Sequence, residues 1–522
     1  MKLLSKKSIS ILLTVGIICT MLYGCTKPAN QDSDEEKITL TMWAPTYGHI
    51  AATATNMGEL EIYQELEKRT GIHIEFQHPP EGQTQESLNV MLASGELPDM
   101  IEYEWLHFPG GPETALESGF ILKLNDLIDK HAPNLKKYYA ENPDVEKMVK
   151  TDNGTHYVFP GIKSSRSQVF WGPIIRKDWL DDLNLEVPTI IDEWYTALKG
   201  FKEEKGATSP FTVDKVYSIG SNFGDFSGAY GVKKGFYQVD GKVVFGDIQP
   251  EFKEFLATMK KWYDEGLLDP DFAVNDNKAV DAKITSGQAG AVCTFASGGL
   301  SKYSRAMKEK DPSVELVAAP YPTLREGEVP RFGQLDNKYN GYGCVAITTS
   351  CKQPEIAAKW LDYAYGEEGH MLFNYGIEGV SYNMIDGNPV FTDLVLNHPN
   401  GYTVKQAVGR YTRAGGNGPF VEDPRSANPN TPEIEKKANE LWSRTEAAKY
   451  NLPPITPSAE ESKEFATIMN EINTYKDEMF VKFIMGMEPL ENFDKYVEQI
   501  KKMNIQRAID IYQAALERYN NR

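Results

Sequence analysis

The chain has 522 residues, of which 41% are hydrophobic, 11% aromatic and 25% charged. That length allows about two to four domains, each able to bury its own core. The 74 acidic residues against 55 basic ones give a formal charge of −19, the wrong sign for a nucleic-acid partner or for electrostatic docking on an anionic membrane.

The N-terminus places three lysines within Met1–Lys7, ahead of an apolar run from Ile9 to Leu22. As a helix, this run would span about 21 Å, short of the roughly 30 Å hydrocarbon core. A basic start, a short apolar run and then a small residue describe an export signal over 1–24. Leu22-Tyr23-Gly24-Cys25 resembles the bacterial lipobox, in which the cysteine is acylated (palmitate being one such chain) and becomes the new N-terminus. Tyr23 stands where a smaller residue is usual. Residues 25–37 are polar and acidic, the composition of a flexible tether. Loss of residues 1–24 removes three lysines and no acid, leaving −22.

Beyond the tether, Ile38 to Trp43 alternates as a strand should. Leu60, Tyr63 and Leu66 then predict a helix over 59–70, stopped by Gly71. A second strand is predicted at 72–76, a helix at 86–93 and a third strand at 100–103 after the turn Leu97-Pro98-Asp99. This β-α-β-α-β order implies a parallel sheet flanked by helices. Thr189 reads as an N-cap with Asp192 three residues on, followed by Trp194, Leu198 and Phe201 on one face. Further helices are predicted at 250–265, 354–365, 433–448 and 491–518. Proline and glycine cluster at 414–432 and 449–458, read as long surface connections.

The spacings that announce catalysis are missing. There is no HExxH, no GxSxG and no paired CxxC, and Gly235 to Lys242 falls short of a phosphate loop. Carboxylate pairs such as Glu102 with Glu104, or Asp269 with Asp271, read as solvated or capping groups. Cys293, Cys344 and Cys351 read as small buried hydrophobes. The informative feature is aromatic: 27 Tyr, 23 Phe and 8 Trp, with Trp43, Tyr47, Trp105, Phe108, Trp171, Phe223, Phe226, Tyr339 and Tyr342 near predicted strand ends and loops. A flat ring offers a large apolar face at small entropic cost. Sugars present matching C–H faces ringed by hydroxyls, so this set favours a carbohydrate cleft.

Ordered motifs from about 38 to 520 carry a resemblance. They include Gly95-Glu-Leu-Pro-Asp99, Gly119-Phe-Ile-Leu-Lys-Leu-Asn-Asp-Leu-Ile128, Asn153-Gly-Thr-His-Tyr-Val-Phe-Pro160, Ile175-Arg-Lys-Asp-Trp-Leu180, Trp262-Tyr-Asp-Glu-Gly-Leu-Leu-Asp269, Gly287-Gln-Ala-Gly290, Gly366-Glu-Glu-Gly369 and Tyr375-Gly-Ile-Glu-Gly379. On these the chain resembles an extracellular solute-binding protein of the family 1 type, the oligosaccharide-binding lipoprotein of a Gram-positive sugar ABC importer. The resemblance implies an α/β, two-lobed periplasmic-binding-protein-like fold of type II, with a ligand cleft between lobes joined by hinge crossings. It places 38–162 and 322–372 in an N-terminal lobe and 163–321 and 373–522 in a C-terminal lobe.

By the same resemblance, ligand contacts fall on Trp43, Tyr103, Glu104, Trp105, Trp171, Phe223, Asp225, Phe295 and Tyr342, and lipidation on Cys25. Some relatives carry a calcium loop after the helix at 192–204. Lys205-Gly-Ala-Thr-Ser-Pro-Phe211 departs from it, so no metal or cofactor is carried over. The implied partners are an oligosaccharide, the membrane subunits of an ABC permease, and the membrane itself through the N-terminal lipid. The implied state is a monomer on the extracellular face of the cell membrane, without enzymatic activity. The alternatives are a binder of peptide or another small solute, a secreted carbohydrate-active enzyme, and a ligand sensor.

Overall fold

The computed structural model describes residues 38–164, 168–414, 417–425 and 431–522. The export signal, the lipidation cysteine Cys25 and the tether lie outside the described residues. Among those residues, no helix is long and apolar enough to cross a membrane. The strands are β1 Ile38–Trp43, β2 Ile72–Gln77, β3 Met100–Tyr103, β4 Trp171–Arg176, β5 Phe211–Thr212, β6 Phe236–Val239, β7 Lys242–Phe245, β8 Ala291–Phe295, β9 Leu316–Ala318, β10 Cys344–Ile347, β11 Tyr382–Ile385 and β12 Asn388–Phe391.

The first sheet has the order β10-β3-β1-β2. β1 runs parallel to β2 and β3, while β10 returns antiparallel along β3. Alternation buries Leu40 and Met42 in β1, as the sequence pattern predicts. The helix after β1 is Glu61–Thr70, and Gly71 ends it in the left-handed region at φ 70°. Asp99 ties β3 to β1: its carboxylate accepts from Thr41 N at 2.8 Å and Thr41 Oγ1 at 2.9 Å, while its own N–H donates back to Thr41 Oγ1.

The second sheet has the order β5-β8-β4-β9. β4 lies antiparallel between β8 and β9, and all six of its residues are buried. Trp194, Leu198 and Phe201 of helix Ile191–Glu203 pack into its core. The carboxylate that answers Thr189 is Glu193 rather than Asp192, accepting from Thr189 N at 2.7 Å and Oγ1 at 3.0 Å. The near-phosphate-loop at 235–242 belongs to the β6–β7 hairpin, turned by Asp240 and Gly241 with φ of 50° and 77°.

Two features differ from expectation near the C-terminus. The helix predicted at 491–518 is two helices, Phe493–Lys502 and Ile505–Asn521, because Asn504 takes the left-handed conformation at φ 69°. Ahead of them stands an unpredicted 26-residue helix, Ala459–Ile484. Ser458 and Glu461 cap it reciprocally, and Ile472, Phe480, Phe483 and Ile484 enter the second sheet's core.

The first part of the stretch after 372, residues 373–414 and 417–421, packs on the first sheet, although the resemblance places it with the other lobe. Phe373 and Phe420 join the first sheet's core. Arg410 reaches Glu61 at 2.8 Å, and Arg413 grips Glu102 of β3 with Nη2 at 2.7 and 2.9 Å from its two oxygens. Between the sheets, residues 159–164 and 168–170 run alongside 319–343: Lys163 N donates to Lys338 O, Lys163 Nζ meets Asp336 at 2.7 Å, and Gln334 Oε1 accepts from Phe170 N. Cys293, Cys344 and Cys351 are free and buried, as their composition suggests.

Candidate functional site

The candidate site forms where strand ends from both sheets approach the paired crossings. β4 and β8 set the first group of rings, because their register places Trp171 opposite Phe295. Phe295 is 37% exposed and stacks on Phe170 with centroids 5.9 Å apart and planes 3° apart. Tyr217, from helix Lys215–Gly220, meets the Phe295 ring edge-on at 5.9 Å and lies tilted over Trp171 at 5.1 Å. Trp171 itself is buried, with an indole N–H that has no hydrogen-bond partner among the described residues.

The first sheet supplies the facing group. Tyr103, at the end of β3, is half-buried and donates its hydroxyl to Gln85 at 2.5 Å. Glu104 follows, 3.9 Å from His107 Nδ1. Surrounding protein pushes the Glu104 carboxyl up and the His107 imidazole down from their ordinary ranges. Tyr342 is 41% exposed, 6.4 Å from the His107 ring. Partial burial raises the Tyr342 hydroxyl, with smaller contributions from Glu104, Asp336 and Tyr217.

Tyr342 and His107 also line a cleft of about 800 Å³. One wall is the loop from Leu106 to Pro112, another is the crossing at 335–342, and the third is the Ala459–Ile484 helix with the prolines at 453, 454 and 457. Its volume is within the range of small-ligand sites.

Several residues expected at the ligand are packed in the protein interior. Trp43 is buried in the first core at the end of β1. Trp105 is fully buried, its indole donating to Ile101 O at 3.1 Å and its ring stacked on Phe108. Phe223 is fully buried against Phe272 and Phe480. It belongs to a left-handed run with φ of 50°, 55°, 77° and 61° at Asn222, Phe223, Gly224 and Asp225. Asp225 is buried too, and that burial raises its carboxyl. Of the expected residues, Tyr103, Glu104, Phe295 and Tyr342 keep exposed surface. Tyr217, Phe170 and His107 join them unpredicted. Among the described residues no cluster of three or more His, Cys, Asp or Glu side chains could hold a metal ion.

A family model described as bacterial extracellular solute-binding protein matches residues 55–371. The chain belongs to that family. Among relatives of this solute-binding protein, Lipoprotein LipO of Bacillus subtilis (strain 168) is 28% identical over 400 residues, covering 74% of this chain and 76% of the relative. The fructooligosaccharide ABC transporter substrate-binding protein FusA of Streptococcus pneumoniae is 24% identical over 486 residues, 88% of this chain and 87% of its own. A solved HMO-binding, ABC-transporter-associated solute-binding protein from Bifidobacterium longum infantis superposes with a TM-score of 0.75 at 20% identity, over 93% of this chain and 99% of that one. At that identity the likeness is one of fold, the mixed α/β, two-lobed solute-binding architecture.

Proposed function

We propose that this solute-binding protein is the capture subunit of an ABC importer, taking an oligosaccharide between its lobes and delivering it to the membrane permease. The observation that carries the reading is that both sheets offer accessible rings near the crossings, Tyr342 beside the first and Phe295 with Tyr217 at the end of the second. Such rings suit the C–H faces of sugars, and Tyr103, Glu104 and His107 beside them offer donors and acceptors to hydroxyls. The names of FusA as a fructooligosaccharide binder and of the Bifidobacterium protein as an HMO binder support the same ligand class.

The ligand-facing set in this reading is Tyr103, Glu104, His107, Tyr217, Phe295 and Tyr342. Trp43, Trp105, Trp171, Phe223 and Asp225 form the packing behind them. In this reading the first lobe takes 38–162, 339–373 and 417–421 with the small cluster of 375–411 attached to it, and the second takes 168–335 with 431–522, a division the hydrophobic clusters support. Hinged closure about the crossings would enclose the sugar and report a loaded state to the permease. An acyl anchor on Cys25 would hold the monomer to the extracellular face of the membrane, and no chemical step is assigned to it.

Calorimetric titration with a panel of neutral and acidic oligosaccharides, alongside peptides of similar mass, tests the reading. Saturable heat with at least one glycan and none with the peptides is the expected result. Binding of a peptide with no glycan binding would overturn it.

A further inference from the structure

The 800 Å³ cleft extends past the aromatic group, and the chemistry of its far wall is specific. Five of its lining residues are asparagines: Asn337, Asn340, Asn451, Asn470 and Asn473. The lining also holds a ring cluster, Phe465 stacked on Tyr512 with centroids 4.1 Å apart and planes 7° apart, with Phe236 4.7 Å from Tyr512. The lining of the cleft thus combines Tyr342, five amides and this ring cluster.

The charged groups on this lining are already engaged. Lys233 donates to Asn451 Oδ1 at 2.7 Å, and Asp336 accepts from Lys163 at 2.7 Å. His107, held below its ordinary pKa by the surrounding cleft, is neutral at pH 7. Among the described residues no arginine lines the cleft, so none of them offers the bidentate fork that recognises carboxylates.

Two amides remain free. Asn470 and Asn473 are exposed on the Ala459–Ile484 helix, and their side chains make no hydrogen bond to another described residue. Ala466 precedes Asn470 by four residues, so helical spacing sets 466, 470 and 473 on one face, and all three line the cleft. An amide carries both donors and acceptors, which matches a neutral hydroxyl array, and it brings no positive charge to offset a uronate.

Resting on the oligosaccharide reading, we infer that the Ala466/Asn470/Asn473 face is an extension subsite, which takes the later units of a neutral oligosaccharide whose first units lie on Tyr342 and Phe295. The subsite sets the preferred chain length, and its uncharged wall sets the preference for neutral over acidic glycans. The C-terminal helices thereby contribute to recognition as well as to the second lobe's core.

The test uses the full chain and calorimetry with neutral fructo-, malto-, manno- and galacto-oligosaccharides of two to six units, together with oligogalacturonides of matched length. The wild-type protein is expected to bind one neutral series with affinity that rises with length. Asn470→Ala combined with Asn473→Ala should weaken the longest members by about tenfold, two hydrogen bonds' worth, and leave the shortest binder within about twofold. Ala466→Trp, which fills the groove from an exposed helix position, should give the same length-selective loss. An equal loss at every length, no loss at any length, or oligogalacturonides bound as tightly as the neutral series would each overturn the subsite. If the wild-type protein bound no glycan in either series, the oligosaccharide reading would fail, and this inference with it.

Discussion

Glu102 and Arg413 form an ion pair that is nearly sealed from water, at 2% and 1% side-chain exposure. Arg413 Nη2 lies 2.7 and 2.9 Å from the two carboxylate oxygens, while its Nε is buried without a partner among the described residues. Burial alone pushes the Glu102 carboxyl up, and the guanidinium pulls it back. Glu102→Gln removes that anion and leaves Arg413 as an uncompensated buried charge. The expected loss is about 3–5 kcal/mol of unfolding free energy, measured by urea denaturation. Replacing both partners, Glu102→Gln with Arg413→Met, should recover most of it, because neither charge then needs solvation. Glu61→Gln provides the contrast: its Arg410 pair is more exposed, at 31% and 15%, so the loss should stay near 1 kcal/mol. A Glu102→Gln loss below about 1 kcal/mol, or additivity in the double variant, would refute the claim that this pair fastens the chain after 372 to the first sheet.

Gly224→Ala should destabilise by more than about 2 kcal/mol in the same assay. Its φ is 77° and an added Cβ would sit 2.5 Å from Cys293 Sγ and 2.6 Å from Trp171; a neutral outcome would remove the strain argument for the 222–225 run. Phe295→Ala and Tyr342→Ala should each weaken glycan binding by about tenfold with the melting temperature little changed, read by calorimetry and thermal melts. His156 is buried, which lowers its pKa from the ordinary 6.5 to about 4. The folded state therefore binds its proton less readily than the unfolded chain. The resulting stability is fully present above pH 6.5 and is lost as pH falls toward 4. His156→Gln should flatten that part of the stability profile, and an unchanged slope between pH 6.5 and 4 would count against it.

Local rules make the first sheet legible in the amino-acid sequence. Alternation in 38–43, the Gly71 stop and the Pro98-Asp99 turn each act within a few residues, and each is found in the fold. The helix break at Asn504 is hidden because apolar spacing continues on both sides of it; only the backbone conformation of one asparagine divides the run. The Ala459–Ile484 helix is harder to read because its buried residues crowd its second half, beside the buried Lys476, so no single face stands out. The site is half legible for a related reason. Trp105 and Phe295 both lie at or just past a strand end, yet one ring turns into the core and the other toward solvent. That choice is made by Phe108 and Ile101 packing on the first and by Phe170 and Tyr217 framing the second. Tyr217 gives no signal of its own because it sits inside a short helix whose placement depends on tertiary contacts.

A crystal structure of the protein with its tightest-binding oligosaccharide tests the central claim most directly. Sugar rings are expected to stack on Tyr342 and Phe295, within hydrogen-bonding reach of Glu104 and enclosed between the two sheets. A glycan seated elsewhere, with those two rings bare, would contradict it.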